Sequence, residues 1–346
     1  MALYPNSFYK NIAIDLGTSN TRIYIKGKGI VLREPSLIAF MKGTKKTFAV
    51  GKEASKMIGR HPSEITIVKP IQNGVIANYD AARLMIQAFI SKLHRLTYIR
   101  PLRAIVSVSL DVTEVEKKAV LEAVRQTGAK DVYLIEAPMA CAIGANLPIE
   151  ENNAIMVVDI GGGTAEASVL CLGGIVSKKT LRIGGKTMNG CIINHLNRKY
   201  NLVCGEVTAE EIRIKVGSAP RSENTDIIVK GIHSVTRMPQ KITVSSPEIK
   251  HIIQTYIEAI VKIIKVTLEN TPLELSTEIM EKGIFISGGS SLLEGFDSFI
   301  ENELSIPVYT NDAPLDNVVL GAGKLVSSHD LLHKTTVPSS AAASIF

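Results

Sequence analysis

Two short apolar segments near the N-terminus, NIAIDLG and TRIYIKG, flank a polar turn at residues 18–20. Their apolar positions alternate or run continuously, as they do in β-strands, so the pair predicts a β-hairpin. The same order returns further along the chain, where NAIMVVDIGG leads into a second bend and AEASVLCL leads out of it. Because Asp, Gly and Thr recur at both bends, the chain is predicted to be internally duplicated.

Other segments have the period of amphipathic helices. The clearest is 247–268, where apolar residues recur every three or four positions and lysines and glutamates occupy the other face. Thr113 with Glu116, and Thr208 with Glu211, have the spacing of capping boxes at the starts of two helices. The predicted helices are 80–94, 113–127, 186–202, TAEEIRIKVG from residue 208, 247–268 and 293–303.

Strand patterns alternate with these helices, at 103–109, at 132–135 and in the apolar segment KGIFISGG, and a strand-rich insert precedes residue 247. This alternation predicts an α/β fold with mixed sheets. A chain of 346 residues with 45% hydrophobic content is long enough for two lobes, and one hairpin in each lobe implies a cleft between them. Residues from about 327 onward are rich in Ser, Ala and Thr, which predicts a loose tail.

Composition excludes several classes of protein. No apolar stretch approaches the roughly 18 residues that would span a bilayer. The N-terminal segment MALYPNSFYK lacks the pattern of a secretion signal, so a cytoplasmic location is predicted. The four cysteines form no CxxC pair and the histidines form no HExxH motif, which argues against a structural metal or a redox site. The net charge of +6 is mild.

The two hairpin turns have the chemistry of phosphate sites. A turn rich in glycine and hydroxyl residues directs several backbone N–H groups at one point, where they can bind an anionic oxygen. In the first turn Gly17 permits close approach, and Thr18, Ser19 and Asn20 offer donors. The second turn offers the same groups from the opposite lobe, at Gly161, Gly162, Gly163 and Thr164. Two such turns facing each other would bind a β- and a γ-phosphate.

An aspartate ends the strand before each turn, Asp15 in the first hairpin and Asp159 in the second. A carboxylate at this place can hold water ligands of a Mg²⁺ ion that neutralises a polyphosphate. The alternative is that each aspartate only orders its turn. One hairpin alone would be weak evidence, whereas the matched pair is strong evidence for nucleotide binding.

Two further groups complete the candidate nucleotide site. A third glycine turn follows a buried strand and precedes a helix, so its backbone can lie flat against a nucleoside; its residues are Gly288, Gly289, Ser290 and Ser291. Glu210 and Arg213 are one helical turn apart and, with Glu211, would contact the ribose and base. A plain strand-to-helix turn and a surface ion pair are the structural alternatives.

The ordered motifs DLGTSNT, LIEAPMACAIG, DIGGGTAE, TAEEIRIKVG and ISGGSSLLEG resemble those of the actin, Hsp70 and sugar-kinase superfamily. Within it, the chain resembles the MreB family of bacterial actins over roughly residues 11–325. Three segments carry this closer resemblance: IDLGTSNTRIYIKGKGIVLREPS, KPIQNGVIANYD and GIFISGGSSLLEGF.

The resemblance implies an actin-like fold, which is a duplicated ribonuclease-H-like α/β fold. Two lobes of two subdomains would surround a cleft that binds ATP or ADP with Mg²⁺. The implied subdomains are IA at 1–32, 70–145 and 310–346, IB at 33–69, IIA at 146–182 and 247–309, and IIB at 183–246.

The resemblance also implies partners. Copies of the chain would stack head to tail into protofilaments, paired antiparallel, which is an open assembly. Other MreB-type subunits and the inner-membrane lipid surface are further implied partners, and nucleic acid is not. The filaments would serve cell shape or motility, in the cytoplasm or at the inner face of the membrane.

One departure from the family pattern affects catalysis. MreB relatives read Ile-Glu-Glu-Pro where this chain has Ile135, Glu136, Ala137 and Pro138. The resemblance assigns the positioning of the attacking water to the glutamate that Ala137 replaces, assisted by Thr164. Adjacent side chains of an extended segment point to opposite sides, so Glu136 would be a poor substitute. The expectation is an actin-type ATPase that binds ATP and hydrolyses it slowly or not at all.

Membrane contact is a second family property. The loop around Leu96, Tyr98 and Ile99 matches the position of the family's membrane loop, and aromatic plus cationic residues suit a lipid interface. Basic residues flank it, at Lys92, His94, Arg95, Arg100 and Arg103. Pro5 makes an N-terminal helix improbable, although Tyr4, Phe8 and Tyr9 are aromatic. A loop packed on its own domain is the alternative.

Other functions fit the sequence less well. An Hsp70-type chaperone would need a substrate-binding domain after the last glycine motif, where only about 55 residues follow. A sugar or acetate kinase would need a general base, and no carboxylate can be assigned to that role. A regulatory, non-polymerising actin relative remains open because of Ala137.

Overall fold

The computed structural model describes residues 10–44, 46–94, 101–216 and 226–326, together with Leu332 and Thr335. The chain divides into two compact units. Unit 1 comprises Met1–Glu151, Leu172–Gly174 and Asp316–Phe346, and unit 2 comprises Asn152–Cys171 and Ile175–Leu315. Within the described ranges, no helix is both long enough and apolar enough to cross a membrane.

The first fourteen elements all belong to unit 1. They are β1 (Lys10–Leu16), β2 (Asn20–Ile25), β3 (Gly29–Pro35), β4 (Ile38–Met41), β5 (Thr47–Val50), α1 (Lys52–Lys56), β6 (Ile65–Val68), β7 (Ile71–Gln72), β8 (Val75–Ile76), α2 (Tyr79–His94), β9 (Leu102–Val108), α3 (Glu114–Arg125), β10 (Ala129–Glu136) and α4 (Ala137–Gly144).

The next elements form unit 2, and the last helix returns to unit 1. They are β11 (Ile155–Ile160), β12 (Ala165–Cys171), β13 (Gly174–Leu181), α5 (Gly185–Tyr200), β14 (Leu202–Val203), α6 (Glu206–Val216), β15 (Asp226–His233), β16 (Pro239–Ser245), α7 (Ser246–Glu269), α8 (Leu273–Lys282), β17 (Ile284–Ser287), a 3-10 helix (Gly289–Leu292), α9 (Phe296–Leu304), β18 (Val308–Tyr309) and α10 (Asn317–Leu325).

The main sheets of the two units have matching topologies. The strand order is β10-β9-β1-β2-β3 in unit 1 and β18-β17-β11-β12-β13 in unit 2. In each sheet the central strand pairs antiparallel with the next strand of its hairpin and parallel with a strand from much later in the chain. The predicted duplication and both predicted hairpins are therefore confirmed.

Each unit has its own apolar core. In unit 1, α2 and α3 pack on the main sheet and bury Met85, Ile86, Phe89 and Val124. In unit 2 the long helix α7 buries a stripe of isoleucines, Ile249, Ile253, Ile257, Ile260 and Ile264. Full burial of such a side chain is worth roughly 1.5–3 kcal/mol. The helical period of 247–268 therefore correctly predicted both the helix and its buried face.

Several predicted boundaries are wrong. Helix α6 begins at Glu206 with the Ala209 amide bonded to the Gly205 carbonyl, so Thr208 lies inside the helix and forms no cap. Helix α9 begins at Phe296, because residues 293–295 form a bend and a turn that follow the 3-10 helix. Asn20 belongs to strand β2. The capping box of Thr113 and Glu116 is confirmed at the start of α3.

Helices α4 and α10 of unit 1 cross with their backbones in contact. A β-carbon at Gly321 would lie 1.7 Å from the Ala140 carbonyl oxygen, and one at Gly144 would lie 1.9 Å from the Asn317 carbonyl oxygen. Lys324 of α10 donates from Nζ to the carbonyls of residues 143 and 144, at 2.7 and 2.9 Å, and so caps the end of α4. The crossing fixes the position of α4, whose first residue is Ala137.

Replacement of Gly321 tests the crossing of α4 and α10. Gly321→Ala should destabilise the protein by at least about 2 kcal/mol, because neither backbone can move away without disturbing the sheet beneath it. The control is Gly190→Ala in α5, where a β-carbon meets no atom within 4 Å. There alanine should be neutral or stabilise by up to about 1 kcal/mol. Urea denaturation of both variants measures the difference, and equal midpoints would contradict the close crossing.

Candidate functional site

The first hairpin turn, between β1 and β2, is held from two sides. A β-carbon at Gly17 would lie 2.6 Å from the Asn20 carbonyl oxygen, so only glycine fits there. Ser36 donates to the Gly17 carbonyl at 2.6 Å, and its own amide donates to the Ser19 carbonyl at 2.9 Å. The Thr18 hydroxyl accepts from the Gly74 amide at 2.9 Å. These hydrogen bonds fix the turn that the sequence predicts to bind phosphate.

Asp15 lies in a polar row that crosses three strands of unit 1. Its strand partners are Ser107 of β9 and Arg22 of β2. Ser107 donates to Asp15 Oδ1 at 3.0 Å and Arg22 to Oδ2 at 3.3 Å. Burial raises the pKa of Asp15, and the Arg22 charge and these hydrogen bonds oppose that rise. Arg22 also pairs with Asp316 at 3.2 Å, so the carboxylates of Asp15 and Asp316 share the guanidinium of Arg22.

The second hairpin turn, between β11 and β12, closes through the Gly161 amide, which donates to the Thr164 carbonyl at 2.8 Å. The start of α5 lies directly against it. The Lys186 amide donates to the Gly162 carbonyl at 2.9 Å, and a β-carbon at Gly184 would lie 2.6–2.7 Å from backbone atoms of residues 161–163. The sequence prediction missed Gly184, whose pairing with Gly185 was the available signal.

Asp159 has the position in unit 2 that Asp15 has in unit 1. Its strand partners are Ser287 of β17 and Glu166 of β12. The two rows thus read Ser, Asp, Arg in unit 1 and Ser, Asp, Glu in unit 2. Glu166 is only 2% exposed, and it was missed because its position suggested an ordinary strand residue. The two duplicated rows therefore differ at one position, which holds the cation of Arg22 in unit 1 and the carboxylate of Glu166 in unit 2.

The third glycine turn lies beside the second hairpin. Gly288 has φ of 87° and a β-carbon there would lie 2.4 Å from the Ile160 carbonyl oxygen, so the position requires glycine. Ser290 is buried, and its Oγ lies 3.5 Å from the Gly161 carbonyl oxygen. Ser291 donates to the Gly288 carbonyl at 2.7 Å. Gly289 begins the 3-10 helix that continues the turn.

Arg213 of α6 belongs to the same cluster. Its side chain is 8% exposed, its Nε donates to Asn189 Oδ1 at 2.9 Å, and its NH2 lies 3.8 Å from Glu210. A β-carbon at Gly185 would lie 3.1 Å from this NH2. Burial lowers the pKa of Arg213, and the charge of Glu210 opposes that shift. The pair is thus no ordinary surface ion pair, since its arginine is buried, whereas its glutamate is exposed. The neighbouring Glu211 is exposed as well.

Ala137 lies at a strand-to-helix junction. Glu136 is the last residue of β10 and the N-cap of α4, whereas Ala137 is the first helical residue and is followed by Pro138. The expectation that both residues lie on one extended segment is wrong, because α4 begins at Ala137 and its first turn tolerates Pro138, whose missing amide hydrogen would have no helical partner there.

The described structure brings the predicted residues together within each unit. Unit 1 contains Asp15, the turn 17–20 and the junction at 136–137; unit 2 contains Asp159, the turn 161–164, Glu210 with Arg213, and the turn 288–291. The fold adds Gly184, Gly185 and Asn189 to these residues. The predicted membrane residues Leu96, Tyr98 and Ile99 lie outside the described residues.

Comparison with known proteins gives consistent matches. The family model described as MreB/Mbl protein matches residues 9–334. The cell shape-determining protein Mbl of Bacillus subtilis is 40% identical over 328 residues, covering 94% of this chain and 98% of Mbl. MreB of Escherichia coli K12 is 41% identical over 334 residues, covering 95% and 96%.

A solved structure agrees in fold. The crystal structure of MreB5 of Spiroplasma citri bound to ADP superposes with a TM-score of 0.88 at 29% identity, covering 93% of this chain and 97% of MreB5. Together with the matched sheets and their hairpins, this establishes an actin-like fold. The chain belongs to the MreB/Mbl family.

Proposed function

We propose that this chain binds ATP with Mg²⁺ and forms filaments of its own copies that act in cell shape or motility. The observation that carries the proposal is the repeated hairpin with an aspartate before a glycine turn, held by its neighbours in both units. A turn fixed before the ligand arrives loses little entropy on binding, so its amides are efficient phosphate donors.

The nucleoside contacts would come from unit 2. Ser290 of the 288–291 turn lies next to the Gly161 carbonyl, and both Ser290 and Arg213 lie against Gly185. Glu210 and Glu211 are exposed on the same helix and can accept hydrogen bonds from ribose hydroxyls. The ADP found in the related MreB5 supports a nucleotide at this fold.

The carboxylate rows fit a divalent cation unequally. Asp15 already faces Arg22, whereas Asp159 is paired across the strands with a second carboxylate, Glu166. A hard cation prefers carboxylate and water oxygens, so the row of unit 2 is the better acceptor of Mg²⁺ water ligands. Bound Mg²⁺ would neutralise the charge of the polyphosphate.

Hydrolysis is expected to be slow. The side chain of Ala137 has no group that accepts a hydrogen bond from water, and Thr164 alone would remain to assist the attacking water. Orientation of the attacking water is a main protein contribution to phosphoryl transfer. The ATP state would therefore persist and lengthen the life of the filament.

The filament is proposed to consist of antiparallel pairs of protofilaments, with other MreB-type subunits as further partners. Its subunits would have the four subdomains IA, IB, IIA and IIB with the boundaries given above. The place of action would be the cytoplasm or the inner face of the membrane.

Nucleotide binding and assembly can be measured together. The wild type should bind a fluorescent ATP analogue in the presence of Mg²⁺ and pellet with ATP. Gly184→Ala should weaken binding more than tenfold, because its β-carbon displaces the 161–163 turn. Gly205→Ala, where a β-carbon meets no atom within 4 Å, should bind like the wild type. Circular dichroism checks that both fold, and equal binding by the two would refute the assignment of this turn.

The alanine at position 137, where the family has glutamate, leads to a second prediction. Ala137→Glu should raise the rate of phosphate release by at least tenfold, within the 10²–10⁴-fold range typical of a positioned acid–base group. Ala137→Gln serves as the control that changes size without adding a carboxylate. A wild-type rate typical of the family would contradict impaired hydrolysis, and no gain in the glutamate variant would place the defect elsewhere.

Membrane contact through Leu96, Tyr98 and Ile99 is a third proposal. The double variant Tyr98→Ser and Ile99→Ser should lose most of its pelleting with anionic liposomes, because apolar burial and headgroup contact are removed together. The control is Val115→Ser on α3, which changes an exposed apolar residue elsewhere in unit 1. Unchanged pelleting of the double variant would remove the loop from membrane binding.

A non-polymerising, regulatory actin relative is the alternative function, and the alanine at position 137 is the observation that favours it. Electron microscopy of the chain with ATP separates the two, since filaments support the first and their absence supports the second.

A further inference from the structure

Four charged side chains of unit 1, called here the charge row, alternate in sign beside the first hairpin turn. In order of contact they are Asp15, Arg22, Asp316 and Arg33. Arg22 shares its face of β2 with Tyr24, whose ring lies against Gly323 of α10, so the row lies on the side of the sheet that α10 covers. The side chains of Arg22 and Asp15 are only 13% and 15% exposed, so their ion pair is largely shielded from solvent.

The two arginines of the charge row are neighbours in the sheet. Arg22 of β2 lies directly opposite Arg33 of β3, an arrangement of like charges that by itself destabilises a sheet. Asp316, the residue before α10, offsets this repulsion because it contacts both guanidinium groups. Arg33 donates to its two carboxylate oxygens, from Nε at 3.2 Å and from Nη2 at 2.8 Å. Arg33 therefore fixes the carboxylate that lies against Arg22.

Arg22 is held between two carboxylates but forms a hydrogen bond with the first of them. Its Nη1 donates to Asp15 Oδ2 at 3.3 Å. Its Nε lies 3.2 Å from Asp316 Oδ1 without hydrogen-bond geometry, so that contact is electrostatic. The guanidinium is thus attracted from both sides and directed at Asp15.

Asp15 therefore has its charge compensated within the chain. Ser107 donates to Oδ1 at 3.0 Å, and the guanidinium of Arg22 lies against Oδ2. A Mg²⁺ ion whose water ligands bound this carboxylate would come close to the guanidinium, and two positive charges at such a distance repel each other.

The equivalent row of unit 2 has the opposite character. Glu166 occupies the position of Arg22, directly opposite Asp159 in the strand register. Two carboxylates suit Mg²⁺, which keeps several water ligands and is bound through one or two carboxylates together with substrate phosphates. One cross-strand position thus decides which row receives the metal.

We propose that Arg22 is the counter-cation of Asp15, a positioning residue that takes the place of a metal ion at the first hairpin turn and leaves Mg²⁺ to the row of unit 2. The proposal rests on the proposed nucleotide binding and deepens it. With its charge compensated, Asp15 does not repel a phosphate that approaches the turn. Binding of the nucleotide therefore depends less on Mg²⁺ than it would with a free carboxylate at this position.

Binding of a fluorescent ADP analogue to the full chain measures this dependence. The ratio of its Kd in EDTA to its Kd in saturating Mg²⁺ is called here the gain from Mg²⁺. A variant that only disturbs the fold changes both constants together and leaves the ratio unchanged, so the ratio reports on the cation. The protein is kept below the concentration at which it pellets.

Arg22→Gln should change the two constants in opposite directions. Binding in EDTA should weaken, because the uncompensated Asp15 repels phosphate. The gain from Mg²⁺ should rise at least about tenfold, because Asp15 becomes free to hold water ligands of the metal and affinity follows the charge of the ligand set.

The matched control is Arg103→Gln in the same sheet. Arg103 is 14% exposed and pairs at 3.3 Å with Asp131 on the neighbouring strand, as Arg22 does with Asp15. It precedes Ser107 by four strand residues, or roughly 13 Å at 3.3 Å per residue. Its gain from Mg²⁺ should equal that of the wild type.

Asp316→Asn is a second, milder variant that decides the matter if Arg22→Gln does not fold. Within the described structure Asp316 makes no side-chain hydrogen bond to the start of α10, so asparagine removes no helix cap. The loss of a negative charge makes the charge row more positive. Binding in EDTA should tighten and the gain from Mg²⁺ should fall about threefold, opposite to the effect of Arg22→Gln.

Three results would overturn the role of Arg22 while leaving nucleotide binding intact. The first is a gain from Mg²⁺ in Arg22→Gln that is equal to or below that of the wild type. The second is a gain in Asp316→Asn that is equal to or above it. The third is an equal rise in Arg103→Gln. If the wild type binds the analogue neither in Mg²⁺ nor in EDTA, the proposed function fails as well.

Discussion

Contact between backbones, without intervening side chains, is the constraint on which both units depend. The turn at 161–163 touches the start of α5 at Gly184, and Gly288 touches the end of β11 at Ile160. In unit 1 the same kind of contact occurs between α4 and α10 at Gly144 and Gly321. A methyl group at any of these positions would overlap a backbone atom. A side chain could therefore be added only if a backbone segment moved, which close packing opposes. Glycine therefore sets the position of the turns as well as their conformation.

The duplicated sheets show how one architecture acquires two chemistries. The same three strand positions hold Ser107, Asp15 and Arg22 in unit 1, and Ser287, Asp159 and Glu166 in unit 2. Strand register makes these residues equivalent, whereas the single change from arginine to glutamate reverses the local charge. The ion pair with arginine holds the aspartate of unit 1 in place. In unit 2 the aspartate lies beside a second carboxylate, and the two negative charges together favour binding of a cation from solution.

Much of the fold could be predicted from local patterns. The isoleucine period of α7, the capping box of Thr113 and the two hairpins are encoded by residues close in sequence, which is why they were predicted correctly. Helix α4 was missed, since APMACAIG is apolar on every side and has no amphipathic period. The start of α6 was misplaced because Thr208 has the right spacing for a cap, while packing extends the helix back to Glu206.

The sequence by itself determined the two hairpins and the glycine turns, because each depends on residues within one short segment, and the order of these segments along the chain determined the duplication and the family. Only the tertiary structure decided which distant residues meet those segments. It placed Gly184 on the 161–163 turn, Asn189 on the buried Arg213, and Lys230 opposite Lys241 on an exposed face. Such pairings depend on sheet register and helix packing across many residues, and local patterns of hydrophobicity carry no record of them.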